Sequence, residues 1–451
     1  MNYGEIDIHD SCFMIHDSKK IHMVGIKGQG MAALAELLRA EGKHISGSDT
    51  KESFSTDAVL RKLGIRVRTF QKKNITKRLD AVIRSSAYGD SHVEIAAARR
   101  LGIPVFNYID AVAELCNKKR GILVTGTHGK TTVTALIGCL LEDTGFDPTV
   151  LVGATVRRWG RNARVGKGTW MVAEGDEYQN KFLQMRPEVL IVTSIEYDHP
   201  DFFRTKSDYV RAFRTMVSQL DRNGLLIAER SLKRIIKKAP CRVVWYGIAG
   251  KKEGRHLELN REAARQVARY LGISSAVATH SFDSYEGTAR RMEFYTSPEA
   301  DTVVIDDYAH HPTALRTTLA AVRKQFPARH VTVFFQPHTY SRTSVLLDDF
   351  AESFEHVDEV ILLPIYSSQR ENAKDFPHDL LRRLQHRMRR VNAKQSIRVM
   401  TIQEAIRYGR NLSSLTRKRV LITLGAGNGW KIAKGITYGK SIVNKVPSSY
   451  T

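Results

Sequence analysis

Gly121-Ile-Leu-Val-Thr-Gly126-Thr-His128-Gly129-Lys130-Thr131-Thr132 is the stretch from which the fold can be read. The apolar run from Gly121 to Val124 predicts a strand, and Val133–Leu141 predicts a helix. A glycine loop between the two aims several backbone N–H groups at one spot. The helix N-terminus adds partial positive charge there, so the spot suits phosphate. Lys130 is placed to reach β- and γ-phosphates, and the Thr131 hydroxyl to ligate Mg²⁺. The general pattern G-x-x-x-x-G-K-T puts its first glycine at position 124, which holds Val. The loop is therefore a shortened form, G-x-x-G-K-T.

Strand and helix patterns alternate on both sides of this loop. Ile21–Val24, His44–Ser48, Ala81–Ser85 and Val105 read as strands, with helices at Met31–Glu41, Thr56–Leu63 and Val93–Leu101. Such alternation predicts a parallel sheet wound by helices. Lys118-Lys119-Arg120 reads as a linker into the unit that opens with the phosphate loop. That unit continues through strands at Trp170–Ala173 and Val189–Thr193. The character shifts near Ser284–Glu286. A third unit then follows, with strands at Thr302–Ile305, Val331–Phe335, Glu359–Leu363 and Val420–Leu424. Its helices are expected at Thr313–Lys324, Val345–Phe354 and Asp379–Arg387. The expected class is α/β with three domains, spanning 1–118, 119–286 and 287–451.

Bulk composition narrows the function. A chain of 451 residues, 42% hydrophobic and 26% charged, is globular and long enough for about three domains. Cys12, Cys116, Cys139 and Cys241 lie far apart with no C-x-x-C pair, which argues against a zinc site or a disulfide framework. No apolar run approaches the ~18 residues of a membrane span, and the first twenty residues lack a signal-peptide core. A cytoplasmic enzyme, monomer or homodimer, is the expectation. The net charge of +23 favours polyanionic partners, yet it is scattered, with no aromatic-interleaved basic stripe. That predicts a solvated basic surface and no specific nucleic-acid site.

Further motifs sit at strand ends. Gly25-Ile-Lys27-Gly28-Gln29-Gly30-Met31 follows the first strand, where glycines let backbone approach a pyrophosphate, and Lys27 beside them favours a diphosphate. Asp49 ends the next strand, where a ribose-binding carboxylate is expected. By itself this loop also fits a plain strand–helix turn. Glu174-Gly-Asp176-Glu177 follows a strand beside the phosphate loop and suits Mg²⁺. Glu196-Tyr-Asp198-His199-Pro-Asp201 offers one histidine among three carboxylates, suited to a second Mg²⁺ or Mn²⁺. Asp306-Asp307-Tyr308-Ala-His310-His311-Pro312 and Phe335-Gln336-Pro-His338-Thr-Tyr340-Ser341-Arg342-Thr343 are dense polar clusters at strand ends, where α/β sheets bind ligands. No H-E-x-x-H set and no G-x-S-x-G elbow is present.

Together these strings resemble the Mur ligases of peptidoglycan synthesis, from Ile21 to about Lys434. The D-D-Y-x-H-H-P and F-Q-P-H-x-Y-S-R-T strings favour the branch that adds L-alanine to UDP-N-acetylmuramate. The resemblance implies an N-terminal Rossmann-like UDP-binding domain, a central P-loop ATPase-type parallel sheet and a C-terminal Rossmann-like α/β domain. It implies UDP-sugar contacts at Gly28, Gln29, Gly30, Met31, Asp49, Ser85 and Ser86. ATP would lie on Gly126, Thr127, His128, Gly129, Lys130, Thr131, Thr132, Asn260, Arg291 and Asp307. Metal would lie on Thr131, Glu174 and His199. Lys130, Glu174, His199, Arg291 and Asp307 would be catalytic, with Tyr308, His310, His338, Tyr340 and Arg342 as amino-acid or phosphate contacts.

Four positions depart from the family or one of its branches. The H-N-x-x-N segment that touches adenine reads His256-Leu257-Glu-Leu-Asn260, Ser194 stands for a common Asn, and Asn428 stands for Asp in G-A-G-D. Phe213 stands where other branches carry a carbamylated lysine, as in the alanine-adding enzymes. The implied reaction activates the sugar carboxylate with ATP as an acyl phosphate, which the amine of L-alanine then attacks. Its rivals are a murein-tripeptide ligase of recycling, a weakened UDP-sugar-binding homologue and a P-loop NTPase acting on nucleic acid.

Overall fold

The computed structural model describes residues 15–437, except 53, 55, 251–254, 298, 368–370 and 416. Cys12 lies outside these residues, and Cys116, Cys139 and Cys241 are free thiols. The chain divides into two compact units between Lys118 and Lys119.

The first unit is one parallel sheet of β1 (Lys20–Val24), β2 (His44–Ser48), β3 (Val67–Arg68), β4 (Ala81–Arg84) and β5 (Val105–Asn107). Its order is β3-β2-β1-β4-β5, with every pair parallel. Strand order reverses between β1 and β4, and such a reversal opens a crevice at the strands' carboxyl ends. The loop Gly25–Gly28 and Ser85-Ser86 leave β1 and β4 at that end. The helix Gln29–Ala40 starts from the loop and buries Met31, Leu34, Leu37 and Leu38, an i, i+3, i+4 stripe.

A polar network is buried in this unit. His22 on β1 bonds Ser46 Oγ at 2.9 Å and Ser48 Oγ at 3.2 Å. Ser48 donates to Glu94, which also accepts from Asn74 Nδ2 at 2.6 Å and Gln71 N at 3.0 Å. Burial opposes a charge on Glu94, but the hydrogen bonds from His22, Ser48, Asn74 and Gln71 win and hold its carboxyl at about 2.

The second unit carries two sheets. The first contains β6 (Arg120–Thr125), β7 (Thr149–Val156), β8 (Arg161–Arg164), β9 (Trp170–Gly175), β10 (Val189–Val192), β11 (Leu225–Glu229) and β12 (Arg242–Tyr246). Its order is β12-β11-β10-β6-β9-β7-β8, parallel except for the β7–β8 hairpin. The second contains β13 (Glu293–Phe294), β14 (Thr302–Asp307), β15 (His330–Phe335), β16 (Glu359–Leu362), β17 (Ser396–Val399) and β18 (Arg419–Leu424). Its order is β13-β14-β18-β15-β16-β17, with only β13 antiparallel. Both faces of this sheet are covered. Val331, Val333 and Phe335 of β15 enter one core, while Phe334 enters the core on the opposite face. Such two-sided burial explains why these strands read as continuous apolar runs.

Lys118-Lys119-Arg120 joins the two units as expected, and does so as ordered chain: Lys118 caps the helix Tyr108–Asn117, Lys119 Nζ donates to the Gly168 carbonyl at 2.8 Å, and Arg120 opens β6. One expectation changes. The single helix expected at Val345–Phe354 is a broken run, Tyr340–Val345, Leu347–Ala351 and a 3₁₀ turn at Glu352–Phe354. It starts earlier because the Glu371 carboxylate accepts from the N–H groups of Tyr340 and Ser341, at 2.8 and 3.1 Å.

Candidate active site

The phosphate loop joins β6 to the helix Lys130–Asp143. Gly126 has φ +131° and Gly129 φ +84°. A Cβ on Gly126 would lie within 2.8 Å of the Ser194 backbone, and one on Gly129 2.6 Å from Asn260 Oδ1. Both positions need glycine for conformation and for room. Asn260, the remaining asparagine of the altered adenine segment, therefore packs directly over the loop. Thr193 and Ser194, after β10, hold the loop from the other side, and Ser194 Oγ accepts from the His128 N–H at 2.9 Å.

Lys130 Nζ donates to the Gly126 carbonyl and to Glu177 Oε2 at 2.9 Å. Burial works against its charge, but the Glu177 carboxylate raises its affinity for the proton above the ordinary lysine value. Glu177 is 1% exposed and also accepts from Tyr209 Oη at 3.2 Å. Glu174 Oε2 accepts from Thr131 Oγ1 at 3.2 Å, and Oε1 from the Gly153 N–H at 2.5 Å. Burial raises the Glu174 carboxyl above the usual range. A desolvated carboxylate beside a hydroxyl is an oxygen-donor pair that fits Mg²⁺.

His199 occupies a left-handed conformation, φ +57°, an uncommon backbone state that the surrounding structure must impose. Its Nε2 lies 3.7 Å from Glu177 and 3.9 Å from Asp198. Of the carboxylates of its own segment, Asp198 stays beside it but answers to a second partner, and Glu196 is engaged elsewhere. Asp198 is bound at 2.7 Å by Arg342 Nε, both side chains being buried. Glu196 turns toward His128 (3.3 Å) and Thr313 Oγ1 (2.5 Å).

The polar clusters of the last third close over this middle sheet. Arg342 also meets His338, whose ring stacks on Tyr366 at 5.3 Å. His310 Nδ1 donates to the Tyr308 carbonyl at 3.0 Å. Burial and the nearby Arg342 cation hold His310 well below the usual histidine value, and hence neutral. His311 Nε2 reaches the Tyr197 carbonyl at 3.2 Å. Tyr340 stacks on Phe376 at 5.7 Å. Asp307 accepts from the N–H groups of Met292 and Ala309, each at 2.8 Å, and burial raises its carboxyl. The Arg291 guanidinium lies over the Tyr308 ring at 5.1 Å.

In the first unit, Gly28, Gln29, Gly30 and Met31 lie at the helix start, and Met31 is core, so only its backbone can face a ligand. Asp49 is 4% exposed and accepts from the N–H groups of Lys27 and Thr50, each at 2.7 Å. It holds the glycine loop in shape. The Lys27 ammonium, expected at a diphosphate, bonds the carbonyls of Thr50 (3.0 Å) and Glu52 (2.6 Å).

Sequence reading assigns no role to Ser194, Tyr209 or Arg290, and it places Glu177 within a string suited to Mg²⁺ without its bond to Lys130. Arg290 grips Asp306 at 2.9 Å and the Gly425 carbonyl at 2.6 Å, tying β14 to the loop after β18. No local signal distinguishes these residues, because their side-chain partners lie 16 to 137 positions away. Phe213, in place of a charged ligand, is buried against Phe182 and Tyr209.

Known proteins match along the whole of this arrangement. Family models match residues 20–120 (Mur ligase family, catalytic domain), 124–281 (Mur ligase middle domain) and 290–427 (Mur ligase, glutamate ligase domain). A UDP-N-acetylmuramate–L-alanine ligase from Desulfitobacterium hafniense is 36% identical over 92% of this chain and 99% of its own. The structure of a UDP-N-acetylmuramate–alanine ligase from Thermotoga maritima matches with a TM-score of 0.75, 25% identity and coverage of 92% and 98%. A murein peptide ligase from Psychrobacter arcticus matches at TM-score 0.67 with 20% identity, covering 94% and 100%. This chain belongs to the Mur ligase family.

Proposed function

We propose that this protein is an ATP-dependent ligase that joins L-alanine to UDP-N-acetylmuramate in peptidoglycan synthesis, working in the cytoplasm. The observation that carries the reading is the meeting of phosphate loop, buried carboxylates and alanine-branch strings in one unit. Relatives named for that reaction, at 36% and 34% identity over 92% of the chain, support the substrates. The domain boundaries that fit the reading are 1–118, 119–286 and 287–451.

The first unit would take the uridine diphosphate at the β1 and β4 ends. ATP would lie along Gly126–Thr132, with Asn260 over the loop and Arg291 and Asp307 approaching from the C-terminal sheet. The sugar carboxylate attacks the γ-phosphorus, giving an acyl phosphate and ADP. The amine of L-alanine then attacks the acyl carbon, and phosphate leaves. Joining two anions needs local positive charge, and Lys130 provides it once its Glu177 bond is exchanged for phosphate. Thr131, Glu174 and His199 would hold Mg²⁺ or Mn²⁺, which when bound neutralises phosphate charge. A neutral His310 beside Arg342 suits an amino-acid substrate: the guanidinium takes the carboxylate, while the imidazole adds no second positive charge near the amine.

The test is product analysis with ATP, UDP-N-acetylmuramate and a panel of L-alanine, L-serine, glycine and murein tripeptide. Preference for L-alanine is expected. Ligation of tripeptide alone would move the protein to recycling.

A further inference from the structure

We propose that His128, Glu196 and His311 form a binding site for a divalent transition metal, with ligands other than Thr131, Glu174 and His199 and with His128 drawn from the phosphate loop itself. The three side chains come from the phosphate loop, the segment after β10 and the D-D-Y-A-H-H-P string. Their donor atoms all lie within 4.8 Å of one another. His128 Nε2 is 3.3 Å from Glu196 Oε2, and His311 Nδ1 is 4.0 Å from the same oxygen. Zinc bonds of ~2.0–2.2 Å in a tetrahedron set neighbouring ligands about 3.3–3.5 Å apart. The His128–Glu196 edge already fits, the His311–Glu196 edge needs about half an ångström, and the third edge, between the two imidazoles, lies within 4.8 Å.

The hydrogen-bond pattern points the same way. His311 commits its ring N–H to the Tyr197 carbonyl through Nε2. Its Nδ1 is then a lone pair, weakly approached by the Thr313 N–H at 3.4 Å. That lone pair lies 4.0 Å from Glu196 Oε2, an oxygen that also accepts from Thr313 Oγ1 at 2.5 Å. An ion would take the place of the Thr313 and His128 donors at that oxygen and draw the two electron pairs onto itself. The Glu196 side chain is 40% exposed and that of His128 25% exposed, so an ion has a route in from solvent. Two imidazoles and one carboxylate select Zn²⁺, Co²⁺ or Ni²⁺ over Mg²⁺, which prefers oxygen donors.

The ligands span the phosphate loop and the C-terminal sheet, so an ion there ties the two together. Occupancy should hold the catalytic parts closed and slow product release, making Zn²⁺ an inhibitor that excess Mg²⁺ does not fully relieve.

The experiment is Co²⁺ titration of nucleotide-free full-length protein, read by visible absorption and by metal content after gel filtration. Wild type and His199→Ala should each bind one Co²⁺ per chain with a tetrahedral or five-coordinate spectrum. Glu196→Gln and His311→Gln should lose both the spectrum and the ion, while keeping a cooperative melt. Glu196 is partly exposed, so its variant keeps the test decisive should His311→Gln fail to fold. No Co²⁺ on wild type, unchanged binding in Glu196→Gln, or loss of binding in His199→Ala would each overturn the proposal.

Discussion

Lys130 shows how a single residue can be both prepared and restrained. Its ammonium lies 2.9 Å from a Glu177 carboxylate that is almost fully buried. A γ-phosphate must displace that carboxylate to engage the cation. Lys130→Ala should therefore reduce ligation by about 10²–10³-fold or more, the scale for removing one preorganised charge contact. Binding of UDP-N-acetylmuramate, measured by calorimetry, should change little. Glu177→Gln should leave the buried cation without a counter-charge and destabilise the second unit by about 2–3 kcal/mol, read as a lower melting temperature. The lysine was legible from its sequence neighbours and the glutamate's role was not, because a motif records what is adjacent in the chain. Lys27, which beside a glycine loop reads as a diphosphate contact, likewise rests on local partners, the carbonyls of Thr50 and Glu52, which a phosphate would have to displace.

At the scale of elements, strands were the most legible part. Val420–Leu424 and Val331–Phe335 are apolar because both faces of their sheet are covered, and that pattern survives without any knowledge of partners. The charged amphipathic helices His256–Tyr270 and Ile402–Ser413 were missed, since each buries only a narrow stripe. The capping box Thr401/Glu404 was a usable signal for the second. The polar network across β1, β2 and the helix Val93–Arg100 carries a pH prediction. Glu94 sits at about 2 against an ordinary 4.5. A depressed carboxylate contributes stability above its unfolded value and loses it as pH falls through the folded one. The first unit should thus lose up to about 3 kcal/mol between pH 5 and pH 2. Hydrogen exchange of β1 and β2 amides, corrected for intrinsic rates, should show that loss, and Glu94→Gln should flatten it.

At the scale of the molecule, the middle and C-terminal sheets are joined through buried charge. Asp198 and Arg342 meet at 2.7 Å with side chains 6% and 3% exposed. Removing either partner strands the other, so Asp198→Asn or Arg342→Ala should each cost about 3–5 kcal/mol of stability. The double variant should cost less than the sum, a coupling that calorimetric melts would measure. Among the described residues, no helix is long and apolar enough to cross a membrane. The sequence offered the parts of the site but not the pairing of Asp198 with Arg342, which is 144 positions away. It placed Asp198 beside His199, where its carboxylate lies 3.9 Å from Nε2, without this second partner.

The central claim is that the sugar carboxylate is activated as an acyl phosphate. It is tested by supplying UDP-N-acetylmuramate labelled with ¹⁸O in that carboxylate, together with ATP and L-alanine, and analysing the released phosphate by mass spectrometry. One ¹⁸O should appear in phosphate for each amide bond formed. Unlabelled phosphate accompanying product would contradict the account.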